Sequence, residues 1–364
     1  MSRHLRVGIV GARRGRAFVP ALRGCPEVTI AALCDISQQQ LDRHREAFGN
    51  PACFLAYDDM LASGIDLAII ATPMHLHASM AAEALRRNIH VLSEVSAAVS
   101  LEQCRELVAA ARASSAKYMM AENCCYMKPF YLVRNMARAG VFGDIYYAEG
   151  EYVHEIPNLS LETTWRDEWL FNRRGITYPT HPLGPILDWM DDRVTTVIAM
   201  GTGSRNYPRY RGDDCAIMLC RTAKGGVVKI RNDMLSPRPP THNYVALQGT
   251  EGAYEALRHD HDSHRVCLRE PGVHPDQRRW RPLAEFEAEY LPEIWRHPPQ
   301  AVAQAGHEGS DYFTARAFIE AVLEDREPPI DVYRALDFTV PGLMSEVSIL
   351  QGGAPVAVPD FRFM

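Results

Sequence analysis

The chain reads Leu5-Arg6-Val7-Gly8-Ile9-Val10-Gly11-Ala12-Arg13-Arg14-Gly15 close to its start, and this stretch decides the fold. A short apolar run ends in closely spaced glycines, and a helical pattern follows over residues 16–23. Glycine permits a tight turn and lets backbone N–H groups approach a pyrophosphate at the positive end of a helix. We therefore predict a dinucleotide site that includes Gly8, Gly11 and Gly15. Because the spacing G-x-x-G-x-x-x-G is looser than the usual fingerprint, an ordinary tight turn is the alternative.

The acid that follows the second apolar run indicates which dinucleotide is bound. Val28–Cys34 leads into Asp35, about 20 residues beyond the glycine loop. A carboxylate at this point accepts hydrogen bonds from the adenosine ribose and repels the 2′-phosphate of NADP. We therefore expect NAD as the cofactor; the alternative is a solvated aspartate beside a turn.

Apolar runs alternate with amphipathic stretches over the first 125 residues. The helical stretches include His75–Arg87 and Leu101–Ala113. The strands that we predict are Leu5–Val10, Val28–Cys34, Leu67–Thr72, His90–Val95 and Lys117–Ala121. This alternation predicts an α/β fold in which residues 1–125 form a Rossmann domain, a doubly wound parallel sheet that binds ligands at the carboxyl ends of its strands. Thr72 lies at one such end and joins the predicted cofactor site.

The pattern changes after a helix predicted over Pro129–Ala139. The strands predicted next are Asp144–Val153, Arg193–Gly201, Asp213–Arg221, Gly225–Leu235 and Asn243–Gly249, with Lys224-Gly225-Gly226 as a hairpin tip. Residues 126–364 thus predict an α+β domain with a large, mostly antiparallel sheet that binds substrate and pairs subunits into a homodimer or homotetramer. Residues 252–306 show little periodicity, and we expect them to form an irregular excursion from the sheet. A last helix, Asp311–Leu323, precedes a proline-rich tail.

Length, charge and composition narrow the classes of function. The 364 residues suffice for two domains, and the net charge of −6 argues against a nucleic-acid partner. No apolar stretch is as long as a membrane span and no export signal precedes Leu5, so we expect a cytoplasmic protein without a membrane partner. The nine cysteines lack framework spacing and are typical of reduced thiols.

One cluster of histidines raises the question of a metal. His259, His261 and His264 are interleaved with Asp260 and Asp262. This alternation of polar residues is more typical of a solvated loop than of a ligand set, so we predict no metal.

Over essentially its whole length the chain resembles the Gfo/Idh/MocA family of NAD(P)-dependent oxidoreductases. The strongest matches are the glycine loop, Ala71-Thr72-Pro73, the strand that ends in Glu94, and Gly306-His307-Glu308-Gly309-Ser310-Asp311. Family dehydrogenases carry Glu-Lys-Pro where this chain reads Glu94-Val95-Ser96, and an Asp-x-x-x-His pair where it reads His181-Pro182-Leu183-Gly184-Pro185. The usual acceptor of a hydroxyl proton is therefore missing.

Four segments resemble one branch of that family, the NAD-dependent glycosidases of glycoside hydrolase family 109, typified by α-N-acetylgalactosaminidase. They are Glu94–Ala98, Met120–Tyr126, Glu151–His154 and Tyr178–Pro185. The resemblance implies that NAD is held by Arg14, Gly15, Asp35, Met74, His77, Glu94, Val95 and Asn123. It implies that the sugar meets Tyr152, Tyr178 and His181, with Pro179 and Thr180 between the last two and Glu122 beside them.

The resemblance also implies a reaction. In this branch NAD+ oxidises the C3 hydroxyl of the sugar, the acidified C2 proton is removed, the C1 group leaves, and water addition and re-reduction complete the hydrolysis. We predict that His181 accepts the hydroxyl proton, since an imidazole titrates near neutral pH. Tyr152, as a phenolate beside positive charge, takes the C2 proton, and Glu122 orients groups or relays protons. A sugar or cyclitol dehydrogenase with a rebuilt proton relay and a non-catalytic NAD-binding protein are the alternatives.

Residues that precede Tyr178 are candidates for sugar recognition. Trp165, Arg166 and Trp169 are expected to stack on or clamp a sugar. Arg173 and Arg174 would favour a sugar that carries a carboxylate or a sulfonate.

One further departure from the family bears on specificity. The branch carries a tyrosine after a Pro-Arg-Pro segment, whereas here Pro237-Arg238-Pro239 is followed by Pro240 and the nearest tyrosine is Tyr244. This departure argues against specificity for N-acetyl-hexosamines.

Overall fold

The computed structural model describes residues 4–156, 163–239, 241–259 and 261–364, with backbone alone for residues 241–243. The described chain divides into two compact units. The first unit contains the residues up to Met127 together with Pro298–Leu336 and Phe361–Met364. The second unit contains Lys128–His297 and Asp337–Asp360. Helix Ser310–Leu323 belongs to the first unit because it packs against helix Val19–Arg23.

The sheet of the first unit confirms the doubly wound fold. Its strands are β1 Leu5–Val10, β2 Val28–Cys34, β3 Ala52–Phe54, β4 Leu67–Ile70, β5 His90–Ser93 and β6 Tyr118–Met120. All neighbouring pairs are parallel and the spatial order is β3-β2-β1-β4-β5-β6. The order reverses beside β1, which places a ligand site at the carboxyl ends of β1 and β4.

Helices cover both faces of this sheet, as parallel strands require. Their bounds are Ala12–Gly15, Val19–Arg23, Gln38–His44, Tyr57–Leu61, His77–Arg86, Leu101–Ala113, Gln300–Gln304 and Ser310–Leu323. Helix Leu101–Ala113 begins and ends as predicted, and the side chain of Ser100 caps it by accepting the backbone N–H of Gln103.

The described strands of the second unit form a nine-stranded, mostly antiparallel sheet. They are β7 Ile145–Val153, β8 Val194–Gly201, β9 Cys215–Thr222, β10 Val227–Asp233, β11 Thr241–Gly249, β12 Gly252–Glu255, β13 Arg265–Leu268, β14 Arg281–Pro282 and β15 Val356–Ala357. The order is β14-β13-β12-β11-β7-β10-β9-β8-β15, with β7 and β10 parallel. The predicted hairpin tip joins β9 to β10, and Gly225 adopts a φ of 95° there.

One face of this sheet packs on helices. The helices of the second unit are Lys128–Arg138, Thr180–Met190, Glu287–Tyr290, Glu293–Arg296 and the part of Val332–Leu350 after Leu336. Helix Thr180–Met190 contacts β7 and β11. Among the described helices, none combines the length and the apolar character of a membrane span.

Two expectations about the last third of the chain are wrong. Residues 252–306 are not an irregular excursion, because β12, β13 and β14 extend the sheet beyond β11. The proline-rich tail contains the 19-residue helix Val332–Leu350, which includes Pro341. Burial of Phe338 and Val340 explains why this helix tolerates an internal proline.

The histidine-rich segment is only partly a solvated loop. His259 and His261 are exposed, whereas Asp260 lies outside the described residues. His264 packs against Tyr254, whose O–H lies 2.7 Å from His264 Nδ1. Burial lowers the pKa of His264 to about 4, so the neutral ring accepts this hydrogen bond.

Candidate functional site

The glycine loop has the shape that a dinucleotide needs. β1 ends at Val10, and Gly11 follows with a φ of 94°. A Cβ at Gly11 would overlap the backbone carbonyl of Ala71, while a Cβ at Gly15 would lie 2.5 Å from Ile9 Cγ2. Gly11 therefore permits the turn and Gly15 lets the first helix approach the strand. The loop fits a bound pyrophosphate.

Gly8 has a packing role within β1. A Cβ at this position would lie 2.6 Å from Ile65 Cδ1. The missing side chain lets the segment that precedes β4 pack closely on β1. Gly8 therefore shapes the sheet beneath the loop.

Asp35 lies at the carboxyl end of β2, as predicted. Its Oδ2 accepts the backbone N–H of Ala12 at 2.9 Å, and its Oδ1 accepts that of Ser37 at 3.0 Å. These two bonds fix the carboxylate beside the glycine loop. The remaining lone pairs suit the two hydroxyls of an adenosine ribose.

A salt bridge closes the same edge of the sheet. Arg14 Nε donates to Glu94 Oε1 at 2.6 Å, and the Glu94 carboxylate is almost wholly buried. Glu94 Oε2 lies 3.4 Å from the backbone N of Val95, which is itself buried. The bridge joins the turn after β1 to the turn after β5.

His77 ties two further turns together. Its Nδ1 lies 2.9 Å from the carbonyl oxygen of Ser96 and its Nε2 lies 2.9 Å from that of Thr72. Burial lowers the pKa of His77, although the two carbonyls oppose this effect. The imidazole holds the turns after β4 and β5 in place. Met74, three residues earlier in the chain, is also buried.

Glu122 and Asn123 follow β6. Glu122 is wholly buried, and its Oε1 accepts the backbone N–H of Cys124 at 3.0 Å. Asn123 Nδ2 donates to Ser310 Oγ at 3.5 Å, which is a long bond between two buried side chains. The predicted cofactor residues thus cluster at the carboxyl ends of β1, β2, β4, β5 and β6.

The second unit brings three of the predicted sugar-contacting residues together. The Tyr152 ring centroid lies 5.5 Å from that of Tyr178 and 5.2 Å from that of His181. Tyr178 and His181 are 4.9 Å apart, edge to face. All three side chains are partly exposed, so a ligand can reach them. We call Tyr152, Tyr178 and His181 the aromatic cluster.

Two glycines explain how this cluster assembles. A Cβ at Gly150 on β7 would lie 3.0 Å from Pro182 Cβ, so glycine lets helix Thr180–Met190 approach β7 closely. A Cβ at Gly342 would lie 2.6 Å from Pro179 Cγ, so helix Val332–Leu350 packs against the turn before His181. Pro179 and Thr180 are buried and shape this turn.

Acidic partners neutralise the two arginines before Tyr178. Arg173 forms a salt bridge with Glu346. Arg174 Nε donates to Asp213 Oδ2 at 2.8 Å. The hypothesis of an acidic sugar rests on a local excess of positive charge. Because Arg173 and Arg174 are each paired with an acid, these two described residues do not supply that excess.

Two other aromatic side chains are engaged in stacking. The guanidinium of Arg166 lies 4.5 Å above the ring of Trp165. The guanidinium of Arg258 lies 3.4 Å above the ring of Tyr244, whose O–H donates to Glu149 at 3.2 Å. Glu149 and Tyr152 occupy opposite faces of β7 because side chains alternate along a strand. Tyr244 therefore does not substitute for the tyrosine of the family; Pro240 lies outside the described residues.

One polar pair in the first unit had no role assigned from the sequence. His307 Nδ1 donates to the Asp311 carboxylate at 3.0 Å, and the two residues frame the turn before helix Ser310–Leu323. The hydrogen bond to Asp311 raises the pKa of His307 above its ordinary value. His307, Glu308 and Gly309 all have left-handed backbone, so the turn and not helical spacing brings His307 to Asp311, and no local pattern indicated the contact.

Comparison with known proteins supports the class that this architecture defines. Residues 5–122 match a family described as oxidoreductases with an NAD-binding Rossmann fold, and residues 126–363 match the C-terminal domain of glycosyl hydrolase 109. The first unit is thus an NAD-binding domain of the Gfo/Idh/MocA type. The chain belongs to glycosyl hydrolase family 109, which confirms the resemblance seen in the sequence.

Two relatives illustrate the extent of the match. A glycosyl hydrolase family 109 protein of Solibacter usitatus is 30% identical over 400 aligned positions, covering 98% of this chain and 88% of the relative. A protein of the same name from Saccharopolyspora erythraea is 31% identical over 393 positions, covering 98% and 83%. The similarity therefore includes both units.

Solved structures support the fold. An NAD-binding oxidoreductase from Klebsiella pneumoniae superposes with a TM-score of 0.81 at 19% identity, covering 98% of this chain and all of the other. The WlbA dehydrogenase of Bordetella pertussis, solved with NADH and UDP-GlcNAcA, gives a TM-score of 0.77 at 20% identity and 99% coverage of both chains. The fold is therefore that of NAD-dependent oxidoreductases.

Proposed function

We propose that this chain is an NAD-dependent glycoside hydrolase that oxidises its sugar transiently and reduces it again within one turnover. The observation that carries the proposal is the aromatic cluster, which offers a phenol and an imidazole 5.2 Å apart by ring centroid. The dehydrogenase relay is replaced in sequence by Glu94-Val95-Ser96 and by Pro185. The family names of the relatives support the same reaction class.

The residues of the chain have separate tasks in this reaction. When bound, NAD+ would take the C3 hydride of the sugar and return it after water has added at C1, so the net reaction would be hydrolysis without oxidation. His181, at the start of its helix, takes the proton of the hydroxyl that is oxidised. Tyr152 removes the C2 proton, which the neighbouring ketone has made acidic, and the C1 group then leaves. Tyr178 flanks both groups and positions the sugar.

Glu122 completes the proposed set of catalytic residues. It is a wholly buried carboxyl whose Oε1 holds the turn after β6. We assign to it the orientation of this turn and the relay of a proton.

We expect an uncharged hexoside as the substrate. Arg173 and Arg174 are each paired with an acid and so offer little attraction to a uronic or sulfonated sugar. Tyr244 is engaged by Glu149 and Arg258 on the other face of the sheet. An N-acetyl group therefore lacks the tyrosine that family members present to it.

An aryl-glycoside assay in D2O tests the proposal. With NAD+ in catalytic amount, the aryl alcohol should be released without net NADH, and the product sugar should carry deuterium at C2. Tyr152→Phe should lower kcat by about 10²–10⁴-fold and leave the Kd of NAD+ unchanged. Tyr146→Phe is the matched control, since Tyr146 lies on the same strand and is exposed.

Two results would argue for the other functions, and a third would contradict the proposed substrate. Steady accumulation of NADH on a free sugar would identify a net dehydrogenase. Tight binding of NAD+ with no turnover, together with a His181→Ala variant that behaves as the parent, would identify a binding protein. Faster turnover of uronic than of neutral aryl glycosides would contradict the substrate class.

A further inference from the structure

We propose that His307, whose ring is oriented by Asp311, is a further residue of the cofactor site and donates a hydrogen bond from Nε2 to the diphosphate of NAD. This inference rests on the first unit alone, so it holds whether the enzyme is a glycosidase or a dehydrogenase. No role was assigned to either residue from the sequence.

The orientation of the imidazole is fixed by its partner. His307 Nδ1 lies 3.0 Å from both Oδ1 and Oδ2 of Asp311, whose side chain is buried. A carboxylate only accepts hydrogen bonds, so Nδ1 carries the proton. Nε2 is then the ring atom that remains to meet a ligand, and the His307 side chain is 44% exposed.

The backbone around the pair is built to accommodate it. A Cβ at Gly306 would lie 2.5 Å from Asp311 Oδ2, so glycine leaves room for the carboxylate. His307 and Glu308 adopt φ values of 51° and 58°, and Gly309 follows at 89°. Left-handed conformations are unfavourable for residues with a Cβ and cluster at ligand sites.

The surroundings place the imidazole at the cofactor edge of the sheet. Arg14, in the helix after the glycine loop, and Glu94, after β5, both act electrostatically on His307. Ser310 Oγ accepts from Asn123 and donates to the His307 carbonyl oxygen, which ties the turn to the end of β6. These residues are the predicted neighbours of the dinucleotide.

The charges around His307 favour its cationic form. Asp311 and Glu94 stabilise the imidazolium, and Arg14 opposes it. Glu308 adjoins it in the chain, and the packed helix Gln300–Gln304 contributes no charged side chain. An imidazolium and the Arg14 guanidinium together suit a ligand with two negative charges, such as a diphosphate.

Calorimetric titration of NAD+ into the full-length protein between pH 6 and pH 8.5 tests the proposal. The affinity should fall as the pH rises through the pKa of His307, because the donated proton is lost. His307→Asn should bind NAD+ about tenfold more weakly at pH 6 and show little dependence on pH. Asparagine is chosen because it tolerates the left-handed backbone. Asp311→Asn should move the transition to lower pH.

Ligand fragments and a matched variant identify the contact. ADP-ribose keeps the diphosphate, so the His307→Asn substitution should weaken its binding by the same factor as that of NAD+. The affinity for adenosine should not change. A loss confined to NAD+ would overturn the assignment to the diphosphate. His4→Gln is the control, since His4 is exposed and precedes the opposite, amino end of β1.

The wild-type protein provides a measurement that does not depend on the folding of variants. Saturating NAD+ should raise the pKa of the His307 imidazole in an NMR titration, since binding and protonation are reciprocally linked. An unchanged pKa would overturn the proposal. So would NAD+ affinities of His307→Asn that equal those of the wild type at both ends of the pH range.

Discussion

At the scale of single residues, the cofactor edge of the first sheet depends on glycines, which have no side chain. Gly11 combines a positive φ with a close approach to the Ala71 carbonyl, so two separate costs oppose any side chain there. Gly64 shares the positive φ, at 78°, but has nothing within 4 Å of where a Cβ would lie. The two glycines therefore separate backbone strain from steric overlap.

Gly11→Ala should destabilise the fold more than Gly64→Ala. We expect Gly64→Ala to lower the free energy of unfolding by about 1 kcal/mol, the cost of a left-handed alanine. Gly11→Ala should cost about 3 kcal/mol or more and also weaken NAD+, because the turn must shift away from Ala71. Urea unfolding and calorimetry measure the two effects. Equal losses in the two variants, with NAD+ binding intact, would contradict this account of the loop.

At the scale of elements, partly buried ion pairs hold the segment that leads to the aromatic cluster. The Asp213 side chain is wholly buried and accepts from Arg174 Nε and from the backbone N–H groups of Gly175 and Gly203, at 2.7–2.9 Å. Burial alone would raise the pKa of Asp213, but these donors outweigh burial and lower it. The carboxylate thus stabilises the fold at neutral pH, and the contribution is lost as the pH falls through that lowered pKa.

Asp213→Asn should loosen the segment that leads to Tyr178. We expect a loss of about 2–3 kcal/mol in unfolding free energy, because the partly exposed Arg174 guanidinium and two backbone N–H groups lose the charge of their buried acceptor. Turnover of the aryl glycoside should fall while the Kd of NAD+ stays constant. Asp191→Asn is the control, since Asp191 and its partner Lys224 are both exposed. Unchanged turnover in Asp213→Asn would show that this anchor does not position the cluster.

The elements also show what can be predicted from sequence. Short, mostly apolar runs predicted β1 and β2 to the residue, because the last three residues of each strand are buried and a break in the pattern follows. Helix Val332–Leu350 was missed, since Pro341 argues locally for a break while burial of its neighbours decides otherwise. Short strands such as β12 depend on pairing with β11, which no local pattern shows.

The candidate site divides in the same way. Motifs with fixed local spacing indicated the glycine loop, Asp35 and the Tyr178–Pro185 segment. The partners of Arg173 and Arg174 lie 173 and 39 residues away in sequence, so their neutralisation is a property of the folded chain alone. Charged residues whose partners are distant in sequence are therefore a weak guide to the charge of the substrate.

At the scale of the whole molecule, the face of the second sheet that lies away from the helices carries an apolar patch. Ile198 on β8 pairs with Leu219 on β9, and Met200 pairs with Ile217. All four side chains are exposed, Met200 at 73%. The neighbouring charges on β7 and β10 are paired with each other, as Lys229 is with Glu149. Such a surface favours contact with a second copy of the chain.

We therefore keep the prediction of a homodimer or homotetramer and assign its contact to this patch. Burial of cross-strand apolar pairs stabilises association by about 25 cal/mol per Å². Light scattering after size exclusion should show a dimer or tetramer for the wild type and a smaller species for the double variant Met200→Lys/Ile217→Lys. Ile294→Lys, at an exposed residue of helix Glu293–Arg296, should leave the mass unchanged. A monomeric wild type, or a double variant of unchanged mass, would rule out this interface; unaltered NAD+ affinity in the double variant would show that the first unit is intact.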